Sequence, residues 1–142
     1  MGRDLESEVS KMNWKEFELL ADDIFSSYGM QTIRNYRLNK PRIEVDLIAI
    51  DEDFAFCVDC KHWRRTVGEA TMLRIGDSQV RRARAVLRKF SSLKRVLPMV
   101  LTRYDEQLFV LSSGVPVVPI SRLRGFLAEW EGYQDRMLVL ER

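Results

Sequence analysis

Two aspartates and a lysine are the residues whose types and spacing could do chemistry in this chain. Asp46 lies inside the apolar run VDLI, and Asp59 and Lys61 follow it, two residues apart. Side chains two residues apart on a strand project to the same face, so Asp59 and Lys61 would point together and Cys60 away from them. A carboxylate in an apolar strand costs free energy unless its charge is compensated. These three charged groups therefore need a partner.

A divalent cation would compensate the charge of the two carboxylates. Mg²⁺ prefers a few carboxylate oxygens together with water and phosphate oxygens, so Asp46 and Asp59 would be its ligands, joined by the carbonyl oxygen of Cys60. The ion would lower the pKa of a bound water and neutralise charge developing on a scissile phosphate. Lys61 would orient that water or stabilise the transition state. Glu18, upstream, would add a further acid directly or through water.

The helices that must flank these residues are indicated by apolar positions at spacings of three and four. The first runs from about Asn13 to Tyr28. The second runs from Asp77 to about Phe90, and Glu69–Ile75 forms an earlier turn that Gly76 interrupts. The third begins at Ser121, which we expect to cap it, and ends near Trp130.

Alternating or β-branched segments predict the strands. Asp51-Glu52-Asp53 reads as a hairpin connection between the two strands that carry the acids. The prolines at 116 and 119 favour an edge position for their strand. The predicted strands are Met30–Tyr36, Ile43–Ile50, Phe54–Lys61, Arg95–Thr102, Gln107–Leu111, Val115–Ile120 and Arg136–Leu140. Helix, three strands, helix, strands and helix in that order predict an α/β fold with a mixed central sheet flanked by helices.

Size and composition agree with one compact unit. The chain has 142 residues, 46% of them hydrophobic, which predicts a single domain over 1–142 with residues 1–12 as a flexible or helical extension. No apolar run is long enough to cross a bilayer, and the first residues lack the apolar core of a secretory signal. We therefore expect a cytoplasmic protein without a membrane partner.

Basic residues concentrate in the middle of the chain, although the net charge is only +2. A polyanion such as DNA could lie along this segment; the alternative is a solvated helix face. The basic residues are Arg64, Arg65, Arg74, Arg81, Arg82, Arg84, Arg88, Lys89, Lys94 and Arg95. The residues expected to contact DNA are His62, Arg64, Arg65, Arg81 and Arg82.

Cys57 and Cys60 raise the alternative of a redox pair or half a zinc site. Their separation is odd, so on one regular strand their side chains face opposite sides. They could neither share a metal nor form a disulfide without breaking the strand. The strand geometry therefore disfavours both roles.

The arrangement of these acids and the lysine resembles that of the PD-(D/E)-x-K nuclease superfamily. A helix carrying Phe17-Glu18 precedes Asp46, and Asp59-Cys60-Lys61 follows after a short connection. The local sequence is most similar to Mrr-like restriction endonucleases and archaeal Holliday-junction resolvases, over roughly Trp14–Trp63. Val45 stands where proline is common, and Asp59 where glutamate is more frequent.

The resemblance implies a restriction-endonuclease-like αβββαβ core, dependence on Mg²⁺ or Mn²⁺, and cleavage of DNA phosphodiesters. It implies a catalytic set of Glu18, Asp46, Asp59 and Lys61, extended by a glutamine on the next helix, Gln79. Two of these assignments have alternatives, because Glu16 could take the role of Glu18 and Gln79 could be an ordinary helix residue.

Three functions remain open at this point. A general endodeoxyribonuclease could serve modification-dependent restriction or DNA repair, and in restriction it would need a partner protein that supplies recognition. A junction resolvase would need a homodimer, for which Val115–Ile120 or the C-terminal tail could form the interface. A non-catalytic DNA-binding module would keep the fold without cutting.

Overall fold

The computed structural model describes residues 12–61, 67–103 and 108–142, and one mixed sheet runs through all three stretches. Three α-helices pack on it: α1 (Trp14–Ser27), α2 (Glu69–Lys89) and α3 (Leu123–Glu129). The strands are β1 (Gln31–Asn39), β2 (Arg42–Asp51), β3 (Phe54–Lys61), β4 (Arg95–Thr102), β5 (Phe109–Val110), β6 (Pro116–Pro119) and β7 (Leu140–Glu141). The predicted α/β class and αβββαβ order are confirmed.

The strands follow the order β1-β2-β3-β4-β6-β5 across the sheet, and β7 pairs with the beginning of β4. The three strands β1, β2 and β3 form an antiparallel meander, whereas β3, β4 and β6 are parallel. A parallel pair needs a crossover connection, which α2 provides between β3 and β4. The C-terminal end of β3 and the N-terminal end of α2 therefore lie at the same edge of the sheet.

Helices cover both faces of the sheet. On one face, α2 packs Ala83 and Val86 against Val45 and Cys57. On the other face, α1 and α3 bury aromatic and aliphatic side chains against β3 and β4; these include Phe17, Ile24, Phe25, Phe56, Leu97 and Phe126. The strands in the middle of the sheet are consequently apolar on both sides, and a charged residue there stands out.

Helix α1 follows its predicted bounds closely. The side-chain oxygen of Asn13 accepts a hydrogen bond from the backbone N–H of Glu16, 2.9 Å away, and so caps the first turn. Gly29 adopts a φ of 81°, which suits the residue after a helix end. Trp14 and Tyr28 fit the apolar spacing of this segment but are 39% and 40% exposed, because they lie at its two ends.

The predicted interruption of α2 at Gly76 is wrong, since one helix runs without a break through Glu69–Lys89. Gly76 is buried inside it. A Cβ built at this position would lie 2.6 Å from Ser113 Oγ and 3.2 Å from Leu111 Cδ1. Here glycine permits close approach of the helix to the β5–β6 turn, and does not end the helix.

The expectation that the Val115–Ile120 strand lies at an edge is also wrong. Strand β6 lies between β4 and β5, with its prolines as first and last residues, where a missing N–H disturbs the pairing least. Val115 and Ile120 are buried within the chain. This segment is therefore not available as a dimer interface.

Other bounds differ from the predicted ones. Strand β1 continues to Asn39, whereas the tail strand is limited to Leu140–Glu141. Ser121 lies inside a 3-10 turn, and α3 begins only after Arg122 without a side-chain cap. The predicted strand start at Gln107 lies outside the described residues. In the stretches that the structure describes, no helix is long and apolar enough to cross a membrane.

Candidate active site

Asp46 lies where β2 parts from β3. The pairing of these strands begins at Leu47 with Val58, and the pairing of β2 with β1 skips Asp46 and Asn35. Asn35 has a φ of 54°, a left-handed conformation that is uncommon outside glycine. The backbone distortion interrupts the alternation of β2, because both Val45 and Ile48 pack toward α2. Asp46 thus lies where the pairing of β2 with β3 ends, while β2 continues beside β1 to Arg42.

One hydrogen bond holds the Asp46 side chain across this gap. The backbone N–H of Cys60 donates to Asp46 Oδ2 at 2.8 Å. The bond joins β2 to β3 just beyond their last paired residues, and it fixes the carboxylate beside Asp59. The two aspartates that the sequence singled out are therefore close neighbours in space.

Asp59 and Lys61 project together from β3, as their spacing predicted. Lys61 Nζ lies 3.2 Å from Asp59 Oδ2, and Arg82 of α2 places its Nη1 3.7 Å from the same oxygen. Asp59 is only 5% exposed. Within the described residues Asp59 Oδ2 accepts no hydrogen bond despite its burial. Its two ion-pair contacts leave that oxygen without a directional partner.

The carboxyl group of Asp46 is hard to ionise in this environment. Burial is the largest cause, and it raises the pKa of Asp46 to about 6 from an ordinary 3.8. The N–H of Cys60 acts in the opposite direction, whereas the neighbouring Asp59 and Glu18 carboxylates raise the pKa further. The negative charges of Asp46, Asp59 and Glu18 repel one another here, and a bound cation would reduce that repulsion.

Glu18 reaches the same region from α1. Partial burial raises its pKa, opposed by the positive charge of Arg34 and by a hydrogen bond with Trp14. The Glu18 charge acts on both Asp46 and Cys60. Glu16, the alternative acid, is exposed in the first turn of α1.

Gln79 lies under the site with its side chain fully buried. Its Nε2 donates to the carbonyl oxygens of Cys57 and Met99, at 2.9 and 2.8 Å. Its Oε1 accepts a hydrogen bond from Arg82 Nη1 at 3.0 Å. Gln79 thus connects β3, β4 and α2, and it contacts the site through Arg82.

The two cysteines belong to separate cores. Cys57 packs toward α2, and Cys60 toward α1 and α3. Both are free thiols, and burial raises the pKa of each. Buried thiols of raised pKa are poor nucleophiles and poor metal ligands. The expectation that they face opposite sides is confirmed.

The donor set at the site fits a hard divalent cation. Asp46 and Asp59 offer carboxylate oxygens, and among the described residues Asp59 Oδ2 is buried with two ion-pair contacts but no hydrogen bond. Over residues 12–61, 67–103 and 108–142, no three His, Cys, Asp or Glu side chains gather as a complete ligand set. Mg²⁺ is commonly held by one or two carboxylates together with water and substrate oxygens, so it does not require such a set.

A small cavity of about 120 Å³ opens beside Asp59 and Lys61. Its other polar lining comes from four residues along one side of α2: Thr71, Arg74, Ser78 and Arg82. Arg74 belongs to the basic segment along which the sequence predicts DNA, and Arg82 is one of the expected DNA contacts, but no role was predicted for Thr71 or Ser78. Their spacing on one helix face was the available signal, and it was hidden by the supposed break at Gly76.

The remaining expected DNA contacts divide into two groups. Arg81 is exposed on α2, whereas His62, Arg64 and Arg65 lie outside the described residues. A groove of about 940 Å³ between the β1–β2 turn and the end of α2 adds a second basic surface. The cations that line it are Arg37, Lys40, Arg88 and Lys89.

Comparisons with known proteins agree with this geometry. The family model Mrr_cat, described as restriction endonuclease, matches residues 9–92. The matched range contains Glu18, Asp46, Asp59, Lys61 and Gln79. No curated protein matches the chain in sequence.

Two solved structures resemble the chain. The small subunit R.BspD6I2 of the heterodimeric restriction endonuclease R.BspD6I has a TM-score of 0.56 and 20% identity, covering 94% of this chain and 78% of that chain. Protein VC1899 from Vibrio cholerae has a TM-score of 0.43 and 11% identity, covering 84% of this chain and 32% of that chain. The first likeness supports the same fold.

Proposed function

The chain belongs to the restriction endonuclease family of the Mrr_cat model, and we propose that it is a metal-dependent endodeoxyribonuclease. It would hydrolyse DNA phosphodiester bonds, with residues 1–142 acting as one nuclease domain. The observation that carries this proposal is the Asp46–Asp59–Lys61 group, in which Asp59 Oδ2 is buried without a hydrogen bond.

Asp46 and Asp59 are the carboxylates that would hold Mg²⁺ or Mn²⁺, with the carbonyl of Cys60 as a further donor. When bound, such an ion supplies Lewis-acid chemistry and a water of lowered pKa. The Cys60 N–H fixes Asp46 for this role. Glu18 adds negative charge from α1 and would hold a water on its side of the site.

Lys61 has the position of an electrostatic catalyst. Its ammonium lies 3.2 Å from Asp59 Oδ2, so a phosphate next to Asp59 would be within its reach. From there it would orient the attacking water and stabilise the negative charge of the transition state. No other residue is needed as a general base, and we assign no such role to His62.

DNA is the substrate that the basic surfaces favour. Arg82 of α2 lies beside the site, 3.7 Å from Asp59 Oδ2, and Arg81 is exposed on the same helix. His62, Arg64 and Arg65 follow Lys61 closely in sequence. Such contacts would position the DNA backbone without reading its sequence. We therefore propose DNA as the substrate. We expect the protein to act in the cytoplasm.

Recognition of a particular site would come from a second subunit. The structural neighbour R.BspD6I2 is the small subunit of a heterodimeric enzyme. By analogy, we propose that this chain acts with a partner protein or as a homodimer. Cutting of four-way junctions would be favoured by the homodimer, and its interface would lie outside the buried β6 segment.

The test is cleavage of labelled linear duplex, single strand, flap and four-way junction in Mg²⁺, Mn²⁺ or EDTA. We expect cleavage only with metal, and a rate loss of about 10²-fold or more in Asp46→Ala and Lys61→Ala. Glu18→Ala and Glu16→Ala form a matched pair on α1, and only the first should lose activity. DNA that is bound but never cut, with variants like the wild type, would identify a non-catalytic binding module.

A further inference from the structure

The cavity beside Asp59 and Lys61 is lined by α2 with an alternation of hydroxyl and guanidinium groups. Thr71, Arg74, Ser78 and Arg82 stand three or four residues apart, which brings them onto one side of the helix. Ile75 is the apolar residue among them. This lining is chemically different from the carboxylate group of the neighbouring metal site, although the two share Asp59 and Lys61.

Positive charge dominates the cavity. Three cations, Lys61, Arg74 and Arg82, face one carboxylate, Asp59. An additional cation would be repelled by this surplus, whereas an anion would be attracted. The two hydroxyl groups, which can donate hydrogen bonds to an anionic oxygen, fit the same class of ligand.

The two arginines are already held in place. Arg82 donates to Gln79 Oε1 at 3.0 Å, and its side chain is 28% exposed. The exposed Arg74 donates from Nη2 to Thr71 Oγ1 at 3.2 Å. The more buried Arg82, with two partners, loses less conformational freedom when it binds a ligand. A volume of about 120 Å³ is sufficient for a phosphate group.

We propose that this cavity binds a phosphate of the DNA strand adjacent to the scissile phosphate. The proposal rests on the proposed nuclease function, because it takes the scissile phosphate to lie at Asp46 and Asp59. Lys61 lines both places and would lie between the two phosphates. Arg74 and Arg82 then set the register of the strand, with Thr71 and Ser78 as supporting donors.

The test separates binding from cutting by using Asp46→Asn as the background, since Asp46 does not line the cavity. Binding of a short duplex DNA is measured in Mg²⁺ over a range of salt concentrations, with and without Arg74→Gln. We expect the Kd to rise about tenfold for a lost charge-assisted contact. The slope of log K against log salt should fall by about 1.

Three further variants serve as controls. Arg136→Gln makes the same change at an exposed residue near β7, which pairs with the opposite end of β4, and it should leave Kd and slope unchanged. Arg74→Lys keeps the charge and should keep the slope. Ser78→Ala should raise the Kd without changing the slope. Unchanged thermal unfolding of Arg74→Gln would exclude misfolding as the cause.

The outcomes separate this proposal from the proposed function. If metal-dependent cleavage holds but Arg74→Gln binds DNA with wild-type Kd and slope, the phosphate subsite is wrong and the nuclease remains. If Arg74→Gln and Arg136→Gln weaken binding equally, the contact is a diffuse surface effect and the subsite is likewise wrong. If the wild type neither binds nor cuts DNA, both proposals fall.

Discussion

At the scale of single residues, the site is defined by carboxylates in surroundings that resist their charge. Asp46 accepts a hydrogen bond from the N–H of Cys60, but burial and the nearby acids Asp59 and Glu18 outweigh its effect on the pKa. Asp59 is offset instead by Lys61 and Arg82. Asp59 thus has cationic partners in the metal-free protein, whereas the charge of Asp46 is opposed by burial and by other acids.

The raised pKa of Asp46 predicts that the metal-free protein loses stability as pH rises. The folded pKa is about 6 and the ordinary value is 3.8. Below both values the group is protonated in either state and costs nothing, whereas between about pH 4 and pH 6 the unfolded chain releases the proton that the folded protein retains. The unfolding temperature of the wild type in EDTA should therefore fall across this window relative to Asp46→Asn.

Other acids also titrate in this window, so the measured quantity is the difference between the wild type and the variant. Glu44→Gln, at an exposed acid on the same strand, is the control. A difference between wild type and Asp46→Asn that stays constant across the window would contradict the burial argument. Added Mg²⁺ at neutral pH should raise the unfolding temperature of the wild type, and not that of Asp46→Asn.

The contacts of Gln79 predict that its replacement lowers both the stability of the protein and its affinity for DNA. Gln79→Leu removes the donors to the carbonyls of Cys57 and Met99, and it removes the acceptor that holds Arg82. We expect unfolding free energy to fall by about 1–3 kcal/mol, measured by urea titration, and DNA binding to weaken because Arg82 is no longer fixed. Gln31→Leu, at an exposed position of β1, should change stability by less than about 0.5 kcal/mol. Equal stability of both variants would refute the bracing role.

At the scale of elements, α2 is the part that organises the site. Its N-terminal half supplies most of the cavity lining, and Arg82 adds to it from the C-terminal half. Ile75 and Val80 pack against Val100 and Val117. Its C-terminal half packs on β2 and β3. The continuous helix through Gly76 keeps Arg74 and Arg82 on one side of a single rigid element.

The close approach at Gly76 predicts an overpacking cost. Gly76→Ala would gain up to about 1 kcal/mol of helix propensity, but its Cβ would lie 2.6 Å from Ser113 Oγ. We expect a net loss of about 1–3 kcal/mol in unfolding free energy. Ser113→Ala should restore most of it, because it removes an oxygen that is buried and accepts or donates no hydrogen bond in the described residues.

Gly125→Ala on α3 is the matched control, since nothing lies within 4 Å of a Cβ built there. It should be neutral or stabilising. Additive effects of Gly76→Ala and Ser113→Ala in the double variant would show that the contact is not the cause.

The elements that could be predicted from the sequence are those whose local pattern is unambiguous. Strands Phe54–Lys61 and Arg95–Thr102 have the predicted ends, because apolar runs bounded by polar residues mark a buried strand. The joint projection of Asp59 and Lys61 follows from alternation alone. The role of Gly76 inside the continuous helix depends on its closeness to Ser113, which lies 37 residues later in the chain. A local sequence pattern cannot predict that contact.

The same reasoning explains what was missed in the site. Strict alternation does not predict that the pairing of β2 with β3 ends at Asp46. At this point the neighbouring strand β1 has a left-handed residue, Asn35. Thr71, Arg74 and Ser78 could have been grouped with Arg82 only by treating α2 as one helix. The sequence points to Asp46 and Asp59 as site acids because charges in apolar strands are costly, whereas cations on a helix face are common.

At the scale of the whole molecule, the C-terminal segment closes the fold around α2. Strand β7 pairs with the beginning of β4, and the Arg142 guanidinium donates to the carbonyl oxygens of Leu87, Phe90 and Leu93. These carbonyls lie in and after the last turn of α2, where no intrahelical donor remains for them. Arg142 therefore acts as a side-chain cap on the helix that carries the cavity.

Arg142→Ala should lower the free energy of unfolding by about 1–3 kcal/mol, since charge-assisted hydrogen bonds to helix-end carbonyls are lost. Urea titration is the measurement, and Arg136→Ala at a nearby exposed position should change it by less than about 0.5 kcal/mol. Equal curves for the two variants would mean that the cap contributes nothing. DNA binding by Arg142→Ala should remain, because Arg142 does not line the cavity.

The two ion pairs of Asp59 would couple the binding of a metal to the binding of DNA. Lys61 and Arg82 both form ion pairs with Asp59 Oδ2, which is also an oxygen proposed to bind the cation. A metal bound to that carboxylate would weaken both ion pairs, so Lys61 and Arg82 would be more available to DNA phosphate. Metal and DNA would then bind cooperatively, and by reciprocity each would raise the affinity of the other by the same factor.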